Sequence, residues 1–166
     1  LMPDEYYLLV FLGKDYVTLF NLNSEKLLTS TLHISPDSLL NLISNISPIY
    51  KSGIENKEIY INEDLFSFNA FASYKLYATV FKDILSSIPN NSTLIVSFPA
   101  ELVKLPIELL VTGWNDEESP YYYNNKQFLL SKYKFVYTPS TSIYIEQKNK
   151  SGENTGQNLL VGNPMN

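Results

Sequence analysis

The stretch "STLIVSF", Ser92 to Phe98, decides the fold. Leu94, Ile95, Val96 and Phe98 make it a nearly continuous apolar run, placed directly after the Pro89-Asn90-Asn91 break. A strand that is apolar on both sides must be covered on both faces, which is the condition of a strand inside a helix-covered parallel sheet. The segment before it supplies cover. In "NAFASYKLYATVFKDILSSI", Ala70, Tyr74, Tyr77, Phe81, Ile84 and Ile88 recur at steps of four and three and predict one long helix. Phe71, Leu76, Val80 and Leu85 widen that stripe beyond a coiled-coil seam, so the helix reads as part of a core.

Further towards the N-terminus, Tyr6 to Leu12 and Tyr16 to Leu22 are rich in aromatic and β-branched residues and flank Gly13-Lys14-Asp15, which predicts a β-hairpin. Ser35 followed by Pro36 is a helix start, a capping hydroxyl before a proline whose missing N–H costs nothing at the first position. Leu39, Leu42, Ile43 and Ile46 then repeat at helical spacing. Ser38 stands where a Glu or Gln would complete a capping box.

On the C-terminal side come a short helical piece, "LVKLPIELLVTG", a polar loop, "WNDEESPYYYNNKQ", a strand region, "FLLSKYKFVYTP", and a helical turn, "STSIYIEQ". Lys148 to Gln157 read as an exposed linker, and Asn158 to Val161 as a terminal strand followed by the Gly162-Asn163-Pro164 turn. Strand alternating with helix points to an α/β fold in which a hairpin and helices lead into a mainly parallel sheet. The 166 residues suit one unit, with a hairpin-and-helix region over 1–91 and the start of the parallel core over 92–166.

Composition excludes several classes of function. The net charge is −5 and every basic residue is lysine, so the arginine forks and positive balance of a nucleic-acid binder are both missing. No apolar run approaches the roughly 20 residues of a membrane span. There is no secretory signal pattern at the N-terminus, and the expected setting is a soluble, cytoplasmic domain with no membrane partner. Leu1 and the abrupt start into strand sequence lead us to expect that further chain precedes it.

The chemistry-bearing candidates are few. With no cysteine, neither a thiolate nucleophile nor a thiolate metal site can form, and neither G-x-S-x-G nor a phosphate-cradling glycine loop occurs among the 6 glycines. His33 has no second imidazole to share a metal with and reads as a surface or structural residue. Asn115 to Ser119 lack the ligand spacing and glycine of a calcium loop. Trp114 with Tyr121, Tyr122 and Tyr123 could form a platform for a sugar or peptide, but in a chain with 13 tyrosines packing on the domain itself is favoured. No catalytic residue, metal ligand or cofactor site is expected.

Three segments taken together resemble the first part of a CHAT domain, a family of caspase-like cysteine peptidases associated with tetratricopeptide repeats. They are "LIVSFPAELVKLPIELL", in which Leu105, Pro106 and Glu108 match the family's Leu-Pro and Glu-x-Leu; "LLSKYKFVYTPSTSIY", in which Tyr137, Pro139 and Ser140 match its aromatic-x-Pro-Ser; and "NLLVGNP", in which Gly162, Asn163 and Pro164 match its Val-Gly-Asn-Pro. The resemblance covers Thr93 to Pro164 and departs from the family at Pro99-Ala100-Glu101, where many relatives turn through Asp-Gly.

The matched residues are structural: Pro106 to start a short helix, Pro139 to end a strand, Ser140 to cap the next turn, and Gly162 to free the backbone as a strand leaves the sheet. In the family the catalytic histidine and cysteine follow the Val-Gly-Asn-Pro strand. The resemblance therefore implies a truncated, noncatalytic N-terminal portion of a bacterial regulatory or defence endopeptidase, with a protein substrate, its own catalytic half and self-association as expected partners. A CHAT-like pseudoenzyme or protein-interaction scaffold is the alternative.

Overall fold

The computed structural model describes residues 1–47, 68–115 and 119–150. Five strands form one mixed sheet: β1 (Glu5–Leu12), β2 (Val17–Leu22), β3 (Leu27–Leu32), β4 (Thr93–Ser97) and β5 (Lys134–Tyr137), in the order β3-β2-β1-β4-β5. β1, β2 and β3 are antiparallel neighbours, whereas β4 runs parallel to β1 and β5 parallel to β4. The fold is α/β, and the parallel half is the half that the apolar run of Ser92 to Phe98 anticipates. Four of the five residues of β4 are buried, Leu94 and Ile95 completely.

The expected hairpin is a three-stranded meander. β3, "LLTSTL", escapes a reading by apolar runs because it is an edge strand whose residues alternate between exposed and half-buried. Its turn nonetheless has a local signal: the Asn23 side chain accepts from the backbone N–H groups of Glu25 and Lys26 at 2.9 and 2.8 Å, an Asx-turn that reverses the chain. At the first turn the Tyr16 ring lies over Gly13, where an added Cβ would collide with it.

Helix α1 (Pro36–Ser44) starts where Ser35 and Pro36 place it, with the Ser38 N–H donating to the Ser35 hydroxyl at 3.2 Å. The two hydroxyls lie 3.0 Å apart, so Ser38 answers the cap with a hydroxyl in place of the longer acidic side chain. The long helix is not uniform. α2 (Ala70–Leu76) is capped by the Asn69 side chain and passes through a π-turn (Tyr77–Phe81) into α3 (Lys82–Leu85). The wider π-turn rotates the stripe, so Leu76, Tyr77, Val80, Phe81, Ile84 and Leu85 are buried together while Tyr74 is only half-buried. Asn91, which precedes β4, has φ 68°, a left-handed conformation that asparagine tolerates better than most residues.

Side chains alternate across the sheet, and its two faces differ. One face presents Tyr6, Leu8, Val10, Val17, Leu19, Leu94 and Val96, packed against α1, α2, the π-turn and α3, together with Leu102, Leu105, Ile107, Leu110 and Leu129 of the loop layer. The other face presents Glu5, Tyr7, Ile95 and, half-exposed, Phe11 and Leu22. It carries α4 (Thr141–Lys150), whose ring contact between Tyr144 and Tyr7 and ion pair between Lys148 and Glu5 fix it against β1. α4 is longer than the turn expected from "STSIYIEQ" and takes in Lys148 to Lys150, which the sequence assigns to the linker. Within the helix Lys148 pairs with Glu5, which is 5% exposed. The remainder of that linker and the strand expected over Asn158 to Val161 lie outside the described residues.

Candidate functional site

Two of the three matched segments meet at the carboxyl ends of the parallel strands β4 and β5, the end at which ligand sites of open α/β sheets are built. After Ser97 the chain leaves β4 through Phe98 and Pro99 into a 3₁₀ turn (Ala100–Leu102). Leu105, 2% exposed, anchors the next segment in the core. Pro106 then opens a second 3₁₀ turn (Ile107–Leu109), its carbonyl accepting from the Leu109 N–H at 3.0 Å. Ile107 is completely buried, and the turn holds the Glu108 carboxyl out towards the end of β5.

Tyr137 is the last residue of β5, in register with Val96, and its hydroxyl donates to the Glu108 carboxylate. Tyr137 is 49% exposed, so its phenol is only partly withdrawn from water; that partial desolvation raises its pKa, and the facing carboxylate raises it further by holding the proton in the hydrogen bond. The backbone N–H groups of Ile107 and Glu108 pull the other way without reversing the shift.

Past Tyr137 the chain turns over the edge of the sheet. The Thr138 N–H extends the β4 pairing to the Val96 carbonyl at 3.0 Å, and its hydroxyl donates to the Ser140 carbonyl at 2.9 Å. Pro139 is exposed, and Ser140 accepts from the Ile143 N–H at 3.3 Å to cap α4. The Thr141 hydroxyl lies 3.0 Å from the Tyr7 hydroxyl on the second face. Two open grooves flank this crossing. One, of about 300 Å³, lies between Phe98 and Val103 on one wall and Tyr137, Thr138 and Pro139 on the other. The second, of about 320 Å³, lies under α4 between Tyr7, Leu22, Tyr144 and Ile145.

The Lys148–Glu5 pair belongs to the same region and has no counterpart in sequence motifs. Burial alone would raise the Glu5 pKa, but the hydrogen bonds from the Lys148 ammonium and the Met2 N–H outweigh it and hold the carboxyl below its ordinary value. Lys148 is correspondingly shifted up by that carboxylate.

The other candidates are placed apart from this region. His33 is exposed beyond the end of β3. Trp114 stacks at 4.9 Å on Phe71 with the Lys126 ammonium 3.8 Å above it, and Tyr123 donates to the Phe68 carbonyl at 2.5 Å with its ring edge-on to Phe68. Trp114 thus packs on the domain, whereas Tyr121, Tyr122 and Tyr123 are all exposed, Tyr123 keeping only its hydroxyl and ring-edge contacts to Phe68. Asp116 to Glu118, like Gly162, Asn163 and Pro164, lie outside the described residues. Among the described residues no group of three His, Cys, Asp or Glu side chains could hold a metal ion, and no helix is long and apolar enough to cross a membrane.

No family model and no curated protein matches the chain. Among solved structures, a chain from a PilM-PilN type IV pilus biogenesis complex is similar to it over 87% of this chain, at 13% identity and a TM-score of 0.37. The match covers 42% of that chain's length, and a similarity of this extent carries no argument about function.

Proposed function

We propose that this chain is the noncatalytic N-terminal portion of a CHAT-type caspase-like cysteine endopeptidase. The observation that supports the reading is the contact between Glu108 and Tyr137, which lie 29 residues apart in two separate segments of the resemblance and are brought together side chain to side chain. Leu105 is buried, Pro106 sets a turn and Ser140 caps a helix, which fits the architectural part that the resemblance gives these residues. On this reading the whole protein is a bacterial, cytoplasmic regulatory or defence protease. It cleaves a protein partner with a histidine and a cysteine that lie outside these 166 residues, and this portion packs against the catalytic half.

A pseudoenzyme scaffold uses the same architecture without the chemistry. The two are separated by the full-length gene product. Hydrolysis of casein or fluorogenic peptides by it, lost on cysteine alkylation and absent from residues 1–166 alone, supports the peptidase. A full-length protein that continues the fold without a histidine and cysteine, and shows no turnover, is the scaffold. Turnover by residues 1–166 that survives alkylation contradicts both.

A further inference from the structure

We infer that Glu108 and Tyr137 are a positioning pair, whose hydrogen bond ties the Leu105-to-Leu109 turn to the end of β5 and thereby sets the groove at the carboxyl ends of β4 and β5. The inference rests on geometry and stands whether or not the chain is part of a peptidase.

The loop from Phe98 to Leu110 has no strand to hold it. Its apolar anchors, Leu102, Leu105, Ile107 and Leu110, each at most 2% exposed, fix its depth against the core, and the Leu109 and Leu110 carbonyls, which accept from the Ser73 hydroxyl at 3.3 Å and the Leu129 N–H at 2.9 Å, fix its far end, so that Glu108 carries its side-chain contact with the end of β5. A hydrogen bond to a charged acceptor is directional and strengthens when partly withdrawn from water. Glu108 supplies that acceptor from the loop, and Tyr137 supplies the donor from the last residue of a strand whose register is fixed by β4.

Both walls of the groove are continuous with the two partners. Phe98 and Val103 belong to the loop that carries Glu108, and Thr138 and Pro139 follow Tyr137 directly. Val103 is 70% exposed, so nothing else among the described residues buries that wall. Tyr137 is also the last side chain on the helix-packed face before the chain crosses to Tyr7 through Thr141, which makes the pair the inner clip of a strap whose outer clip is α4. The raised phenol pKa agrees with a phenol that keeps its proton and donates it to the Glu108 carboxylate.

Glu108→Gln, Tyr137→Phe and the double variant test the pair in the full chain. Lys104 is exposed within the tethered loop and gives trypsin a local site. Each single variant is expected to raise cleavage after Lys104 roughly five- to tenfold with the global unfolding midpoint nearly unchanged, and the double variant to cleave no faster than the faster single, because each removes the same Glu108–Tyr137 bond and only Tyr137→Phe also removes the phenol's contacts with the Ile107 and Glu108 N–H groups. ζ-¹³C-tyrosine NMR supplies a second readout that general loosening would not give: the Tyr137 resonance, identified by its loss in Tyr137→Phe, should titrate at lower pH in Glu108→Gln than in the parent. Unchanged cleavage, rates that multiply in the double variant, cleavage that rises only in step with global unfolding, or a Tyr137 resonance that titrates at the same pH in Glu108→Gln as in the parent overturns the inference.

Discussion

The two faces of this sheet are built from the same strands and held by different physics. On one face Leu8, Leu19, Phe81, Leu94 and Ile107 are all at most 1% exposed, in a continuous apolar core. On the other, α4 buries none of its own residues, and it is positioned by a carboxylate–ammonium pair, a hydroxyl contact and one tilted ring pair. The first arrangement is stabilised by area removed from water and tolerates little change of volume. The second also buries Tyr7 and Ile95 of the sheet, but α4 itself is held by directional contacts at a few positions, so the helix can be released without unfolding the rest.

The largest expected effect is on the packed face. Phe81→Ala, which empties a side chain 1% exposed, should cost about 3 to 5 kcal/mol, read as a lowered urea midpoint with an unchanged slope. A loss under about 1 kcal/mol would mean the core is looser than its burial indicates.

Next in size is the polar clip. Lys148→Ala leaves the Glu5 carboxylate, 5% exposed, without its ammonium partner and should cost about 1 to 3 kcal/mol. The same pair sets a pH dependence. Glu5 takes up its proton at an ordinary value of 4.5 when unfolded and at a lower pH when folded. Below pH 4.5 the unfolded chain is therefore protonated first, and the stability contributed by the pair, fully present above that value, is lost as pH falls through the folded pKa. The groups facing Glu5 are Lys148, Tyr144 and the Met2 N–H, and only the carboxyl titrates in this window. Acid titrations of stability should lose part of this slope in Lys148→Ala; identical slopes in parent and variant would remove the pair from the account.

The smallest effect is expected for Ile145→Ala on α4. Ile145 is 52% exposed, and alanine favours a helix, so the change should stay within about 0.5 kcal/mol. A larger loss would show that α4 is packed more firmly than its exposure implies.

The contrast also explains what is legible in the sequence. The packed face can be read because burial leaves periodicity: the stripe through Ala70, Tyr77, Phe81, Ile84 and Ile88 and the unbroken run of β4 are imprints of apolar cover. β3 leaves no such imprint because an edge strand half-covered by solvent tolerates Ser and Thr, and its one local signal is the Asn23 turn. The π-turn leaves no mark in a stripe that is apolar on several sides. The end of α4 is hidden because its contact with the sheet is made by Lys148 to Glu5, 143 residues away, a pairing that no local pattern carries. Of the candidate site, the sequence names Glu108 and Tyr137 through separate motifs, but only the fold brings them into contact.

Native-state hydrogen exchange tests the asymmetry most directly, because it reads both faces in one experiment without a mutation. The amides of Leu8 and Ile95, inside the sheet, should exchange only through global unfolding, and those of Ile145 to Asn149 in α4 at least about a hundredfold faster, through local release of the helix. Protection of α4 to within about tenfold of the central strands would contradict the account, since a helix with no buried residue would then be an integral part of the core.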